Sequence, residues 1–593
     1  MQTFKKFLYL LTSREKNTAG LLLLMTFIMA LVDMIGVASI MPFVAVLTSP
    51  NLVETNSLLN IVFQFSNSFG VKNTQQFLFA LGVLVFVILF FSLFLKSFIV
   101  YAQARFISMC EYSISKLVLE RYLHQPYSWF LNRHSAEIGK TILSEVANVV
   151  SGGLGQFIDI VTKGLVAIAI IILLILVDPK LALIVSLIIV GAYGILIYFL
   201  RVYIFRIGKQ NLKDNELRFI SISEAFGAVK EIKVGGLEQH YIKKFSDPAR
   251  SLAQKKATTL VLKQLPRFIL EAIAFGGILI IILYMMSQTN SFDNVLPVIS
   301  LYAFAGYRLI PAIQGVYTGF SNLTFVTPSI NKLYEDLRNI EPINFNQNKN
   351  ILSVNKKIVL KNIHFNYPNA YQVTINNISL TIPAKSTVGF VGTTGSGKTT
   401  IVDIILGLLQ PQKGTLEIDE KIITTQNSRS WQRCIGYVPQ QIYLTDDTVA
   451  ANIALGVEAK DLDQDIVEKV SKIAKIHDFV INELPKKYQT TIGERGARLS
   501  GGQRQRIGIS RALYHNPTVL ILDEATNSLD NETEQAVMDA VNNLSKDVTI
   551  ILIAHRLNTL KNCDIIFKIQ KGQLVRQGTY KELINSDKDF ISP

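Results

Sequence analysis

Cysteine is scarce in this chain: Cys110, Cys434 and Cys563 are the only three in 593 residues. No spacing among them suits a metal, so neither a disulfide framework nor a zinc site is implied. Basic runs and aromatic-basic recognition motifs are missing from the second half, so the formal net charge of +14 does not point to nucleic acid. No clear cleavage site follows the first, long apolar run, so residues 1–30 do not read as a cleaved signal peptide. Charge itself is thin: 18% of residues are charged against 49% hydrophobic, and the mean hydropathy of +0.32 is too apolar for an ordinary soluble protein.

The apolar excess lies before about Val326, after which the composition becomes ordinary. Six segments are long and apolar enough to span a bilayer, at 19–48, 75–101, 147–177, 181–203, 261–286 and 295–325. Lys5, Lys6, Arg14 and Lys16 precede the first, whereas 49–74 holds one lysine and the Asp178-Pro179 turn and the 287–294 loop have almost no positive charge. The region 102–146 carries Arg105, Lys116, Arg121, Arg133 and Lys140, and 201–257 carries a dozen Lys or Arg. Positive charge marks the cytoplasmic side, so the N-terminus, both long connections and everything after the sixth span are cytoplasmic. All three cysteines then sit in or near a reducing compartment. The connections show helical periodicity and read as membrane helices continuing into the cytoplasm, with turning points near 125–132 and 221–227. Two domains follow: 1–340, all-α with six spans, and 341–593, an α/β nucleotide-binding domain.

That second domain contains Gly392-Thr393-Thr394-Gly395-Ser396-Gly397-Lys398-Thr399, the Gly-x4-Gly-Lys-Thr phosphate loop, between an apolar strand and an amphipathic helix that opens with Thr400. Its glycines let successive N–H groups close around an anion while the following helix points its positive end at the same phosphates. Lys398 would reach the β and γ phosphates and Thr399 would ligate Mg²⁺. Downstream, Val519-Leu-Ile-Leu-Asp523-Glu524 is an apolar strand ending in two acids. There Asp523 suits Mg²⁺ and Glu524 suits polarisation of the attacking water. Between them stands Leu499-Ser500-Gly501-Gly502-Gln503, a glycine pair opening a helix.

In this order the motifs resemble the ATP-binding cassette family, and the likeness covers the whole chain. The resemblance implies ATP and Mg²⁺ as cofactors and an ATPase coupled to transport. It implies Tyr367 as the aromatic stacked on adenine, Gln440 as the glutamine linking Mg²⁺ and water to the membrane domain, and His555 as the switch histidine at the γ phosphate. It makes Ser500 to Gln503 the signature motif and Asp530 an acid at a dimer seam, with Asn527 and Ser528 replacing the commoner serine and alanine. In this family ATP lies between the phosphate loop of one domain and the signature of another. One of each here implies a half-transporter pairing with a second copy of itself. Permease before cassette resembles the exporter branch, in a multi-pass protein of the cell inner membrane.

Cargo clues lie in the spans. Arg308 sits midway along the sixth, where facing lipid would cost about 2.5 kcal/mol or more, so it is expected to line a cavity. Lys96 and Arg267 either add to that lining or snorkel to headgroups, and Glu271 offers Arg267 an internal partner. The tracts around Arg267 and Arg308, with Val229-Lys230-Glu231-Ile232-Lys233 and Gly236-Leu-Glu238, resemble bacterial lipid-linked oligosaccharide flippases of protein N-glycosylation and related surface-glycan exporters. Gly315 departs from that pattern, standing where a further basic residue is found. Leu58 to Phe65 is an apolar segment too short to span, either an interfacial helix or a packing helix. The implied cargo is a polyprenyl-diphosphate oligosaccharide, a membrane lipid-linked substrate. An exporter of lipid A-like lipids or hydrophobic drugs is the alternative, and an ATP-gated channel or regulatory ATPase is the alternative of another class, against which an intact Glu524 argues.

Overall fold

A computed structural model describes residues 2–68, 70–288, 296–340, 351–368, 373–525, 530–544, 547–554 and 557–586. Two compact units divide the chain: Met1–Gln125 with Asn132–Ile343, and Asn344–Pro593 with the short segment Pro126–Leu131.

The first unit is helical. Helix Ser13–Ala38 starts at Thr12, whose hydroxyl accepts from the Glu15 amide while the Glu15 carboxylate takes the Thr12 N–H at 2.8 Å, a reciprocal cap that fixes where the chain turns helical. Later helices are long: Thr74–Leu123 has 50 residues, Pro179–Gly227 has 49, Glu238–Gln288 has 51 and Leu296–Asn339 has 44. At about 1.5 Å per residue such helices exceed the roughly 30 Å of hydrocarbon twofold, so they project beyond the membrane as the periodicity leads one to expect. Among the described residues four stretches are long and apolar enough to cross: Ser13–Thr48, Thr74–Leu123, Ser135–Val177 and Gly191–Gly227. The fifth and sixth expected spans lie within the helices Glu238–Gln288 and Leu296–Asn339. Met29, Ile170, Leu301, Leu309 and Tyr317 are buried together where these helices meet.

The outer segment is the helix Ser57–Asn67. Phe63 meets Phe77 edge-to-face at 5.1 Å and joins a small core with Val46, Val53 and Leu81, while Ile61 and Phe65 remain 63% and 68% exposed. One face packs and the other is apolar and open, so the two readings of this segment describe its two faces.

At the first cytoplasmic turning point lies a short helix, Tyr127–Phe130, in the segment that groups with the second unit. At the second, near 221–227 as expected, the long helix Pro179–Gly227 ends and a separate short helix, Val229–Gly235, follows. Nothing in 221–226 breaks a helix; the break comes at Ala228 (φ −111°, ψ 34°), and Gly236, at φ 61°, ends the short helix in the left-handed conformation that glycine tolerates.

The second unit holds two sheets. Strands β1 (Lys357–Phe365), β2 (Ile375–Pro383), β4 (Lys413–Ile418) and β5 (Lys421–Ile422) form an antiparallel sheet in the order β2-β1-β4-β5. With β3 (Thr387–Val391), strands β6 (Ile435–Val438), β7 (Val519–Asp523), β8 (Thr549–Ile553), β9 (Ile565–Gln570) and β10 (Gln573–Gly578) form the second, in the order β10-β9-β3-β8-β7-β6. It is parallel except at β10. Every residue of β7 and β8 is buried, which is why both read as unbroken apolar runs rather than alternating ones. An all-α membrane unit followed by an α/β phosphate-loop unit is the fold class the sequence implies.

Candidate functional site

Parallel strands gather ligand-binding loops at their carboxyl ends, and here the motifs follow β3, β6, β7 and β8. After β3 the loop 392–397 turns through Gly392, Gly395 and Gly397, of which Gly395 (φ +78°) and Gly397 (φ +102°) need the left-handed region, and helix Lys398–Ile405 begins. A Cβ on Gly392 would lie 2.1 Å from the Ile569 carbonyl oxygen, so only glycine lets β9 pack here. The Ser396 hydroxyl is buried with no hydrogen-bond partner among the described residues. Thr393, Thr394 and Gly395 are exposed. An open glycine crest above an unsatisfied buried hydroxyl suits phosphate oxygens, so the residues present fit a nucleotide.

Lys398 is buried, and its Nζ donates to the carbonyls of Gly392 at 2.7 Å and Thr393 at 3.1 Å. Burial lowers its pKa, against the raising influence of Glu524 and Asp523. Thr399 is exposed, free to present its hydroxyl to a cation. Thr400 is instead buried and shares a hydrogen bond with the Tyr367 hydroxyl at 3.2 Å. Tyr367 also meets Phe365 edge-to-face at 5.1 Å, so both ends of its ring are anchored.

Asp523 closes β7 and is 4% exposed. Glu524 follows with φ +50°, a left-handed conformation that costs a non-glycine residue about 1 kcal/mol or more. Its N–H donates to Ile553 O at 3.0 Å across to β8, and its carboxylate accepts from Gln440 Nε2 at 2.7 Å. The turn thus aims the carboxylate at the loop that follows β6. Among the described residues no three acids, histidines or cysteines form a metal cage. Mg²⁺ held by Thr399, Asp523 and Gln440 therefore needs phosphate oxygens to complete its shell.

Ser500 caps helix Gly501–Tyr514. Its hydroxyl accepts from Gln503 N at 3.2 Å, and its N–H donates to Gln503 Oε1 at 2.8 Å. Gly501 and Gly502 leave the first turn without side chains, so a phosphate has close access to the helix start. Asp530 heads the helix Asn531–Asn543 and accepts from Thr533 N at 2.9 Å and Thr533 Oγ1 at 2.8 Å, which holds its carboxyl below the usual range. His555, Asn527 and Ser528 lie outside the described residues.

Sequence reasoning passed over Asp403, on the phosphate-loop helix. Burial first, and then the charge of Asp523, push its pKa up to about 6. Burial first, and then the same carboxylate, raise the pKa of the Tyr127 hydroxyl, so the short segment Pro126–Leu131 lies within electrostatic reach of the phosphate-loop helix inside the second unit.

In the membrane unit Arg308 reaches Asp33 at 3.5 Å, with the two side chains 15% and 4% exposed. Asp33 also accepts from the Ser92 hydroxyl. One turn beyond Ser92 on the same helix stands Lys96, within electrostatic range of both Asp33 and Arg308. Arg267 differs: it pairs with Glu271 at 2.7 Å and is 60% exposed, which is the internal pairing weighed above. Asp33 was missed, although a solitary acid inside the first span is itself a functional signal.

Comparisons with known proteins agree with this geometry. A family profile described as "ABC transporter transmembrane region" matches residues 38–307, and one described as "ABC transporter" matches 375–527. The chain is 30% identical over 481 residues, 79% of each chain, to "ATP-dependent lipid A-core flippase" of Ralstonia nicotianae. It is 43% identical over 229 residues, 39% of this chain and 38% of the other, to a protein of the same name in Saccharophagus degradans. Among solved structures it matches "Structure of a bacterial Atm1-family ABC exporter with ATP bound" at TM-score 0.78 and 21% identity, covering 96% of both chains.

Proposed function

The chain belongs to the ABC transporter family, and we propose that it flips a lipid-linked glycan on a polyprenyl-diphosphate anchor from the inner to the outer leaflet of a bacterial inner membrane by alternating access. It is a multi-pass membrane ATPase of the exporter type, using ATP with Mg²⁺. The observation that supports the cargo reading is that Lys96, Lys163 and Arg308 gather about the single carboxylate of Asp33, because cations inside a span are costly without an anion to meet.

The roles assigned here join the described geometry to the family resemblance. Lys398 and the amides of 392–399 hold the β and γ phosphates, and Tyr367, anchored at both ends, supplies the face for adenine. Thr399, Asp523 and Gln440 would hold Mg²⁺, which would draw off phosphate charge, while Glu524 would orient the attacking water and take its proton; the family resemblance gives His555 the γ phosphate. Ser500 to Gln503 and Asp530 complete the site of a second copy, so the working unit is a homodimer of twelve spans.

A second reading, flipping of lipid A-core, is favoured by the names of the relatives above. Both cargoes are phosphorylated glycolipids, and one assay separates them: ATP-dependent flipping in proteoliposomes of a labelled polyprenyl-diphosphate oligosaccharide and of lipid A-core, with Glu524→Gln as control. Flipping of the first, lost in Glu524→Gln, is the expected result. Flipping of lipid A-core alone would overturn the cargo while leaving the exporter.

A further inference from the structure

The sixth-span helix carries Gly315 two turns after Arg308, on the same face. A Cβ built on Gly315 would fall 2.8 Å from Cγ and 3.1 Å from Cδ of Lys163, on the third-span helix Gln156–Val177. The lysine stem occupies the space that a side chain at 315 would need. Lys163 forms no hydrogen bond or ion pair among the described residues. Its neighbour Asp159, one turn earlier, accepts instead from Gln103 at 2.7 Å.

Lys163, Lys96 and Arg308 share one electrostatic neighbourhood, with Asp33 the acid within it. Asp33 offsets Arg308, and Asp159, one turn from Lys163, is bonded to Gln103, so three cations face two acids and neither lysine is bonded to a carboxylate among the described residues. Along the six expected spans as a whole, six Lys or Arg stand against three Asp or Glu. Such a surplus in a low-dielectric interior favours binding an anion, and two linked phosphates offer a charged oxygen to each unbonded lysine.

We propose that Gly315 is the seat of Lys163, and that Lys163 grips the second phosphate of a lipid-linked diphosphate whose first phosphate lies at Lys96 and Arg308. This rests on the flippase reading above and deepens it: charge is supplied from the third span in place of a basic residue at 315. The consequence is selectivity, because a sugar linked through a single phosphate carries one charge and leaves Lys163 unused.

The test measures ATPase stimulation of the full-length protein in proteoliposomes by a polyprenyl-diphosphate-linked sugar and by a polyprenyl-monophosphate-linked sugar. Wild type should respond to the diphosphate at a half-maximal concentration about tenfold or more lower, as a charged hydrogen bond implies. Lys163→Met should bring the ratio of the two concentrations toward one, and Lys163→Arg should keep it. Lys163→Gln, polar and close in length, gives the same reading should the methionine variant fail to fold. An unchanged ratio in Lys163→Met or Lys163→Gln overturns this inference and leaves the flippase reading intact. Wild type stimulated by neither lipid overturns both.

Discussion

Replacing Arg308 by alanine should damage the membrane unit through the partner it leaves behind. Asp33 is 4% exposed and would be left buried without its cation. Removing one member of a buried pair typically costs about 3–5 kcal/mol, and the Ser92 hydroxyl that remains on Asp33 offsets about 1 of these. A destabilisation of about 2–4 kcal/mol is therefore expected for Arg308→Ala. Asp33→Asn strands Arg308 instead, at a cost of about 2.5 kcal/mol or more inside a span. The double variant removes both charges and keeps a group that Ser92 can bond, so it should recover to within about 1 kcal/mol of wild type. Thermal denaturation midpoints in nanodiscs rank the four proteins, and flipping assays run beside them. Stability should return in the double variant and transport should not, since the cation that meets the cargo is gone. Additive losses in the two single variants would refute the ion pair. Flipping at the wild-type rate by the double variant would refute Arg308 as a cargo contact.

Two further outcomes are expected. Asp403 has its pKa raised from 3.8 to about 6, so its contribution to stability is complete below pH ~4 and is lost as pH climbs through about 6, a difference of ~3 kcal/mol. Asp403→Asn should flatten denaturation midpoints between pH 4 and about 6 and raise the midpoint at pH 7.5; an unchanged slope would show that another group titrates there. Gly208 stands where a Cβ would meet the Phe325 carbonyl oxygen at 2.0 Å, so Gly208→Ala must part the helices Pro179–Gly227 and Leu296–Asn339. A loss of about 1–3 kcal/mol or more, with reduced transport, is expected, and a wild-type midpoint would contradict that close approach.

The cassette's chemistry was legible because its motifs are contiguous. A strand, three glycines and a lysine fix their own local geometry, and the structure puts Gly392 to Lys398 and Asp523 where that order implies. The helices were legible for the same reason, through period and length. What the sequence could not give depends on rotation and packing. Asp33 meets Arg308 only after the first and sixth spans have chosen which faces to turn together. The left-handed backbone of Glu524 has no signal in a glutamate; β8 imposes it, through the bond to Ile553 O. The short helix Val229–Gly235 within the second long connection has no start signal in the sequence, since nothing in 221–226 breaks a helix, whereas Gly236 marks its end.

The two anion sites share one design. Lys398 donates to the carbonyls of its own loop, and Arg308 pairs with Asp33; Ser500 and Gln503 satisfy each other's backbone groups at the signature. A cation already engaged by an internal acceptor yields only to an anion whose interaction exceeds the one it displaces. Chloride or a carboxylate with a single charge gains little by that exchange, whereas a polyphosphate presents several oxygens and more than one charge. Lys163 breaks this rule in the membrane unit, holding a charge with no internal acceptor. A cation left unanswered beside one that is answered divides the work: Lys163 favours entry of the anion, and the Asp33–Arg308 pair raises the threshold for which anions stay. On the proposed reading two charges are the least that satisfies both, and a diphosphate suits the interior of these spans better than a single phosphate.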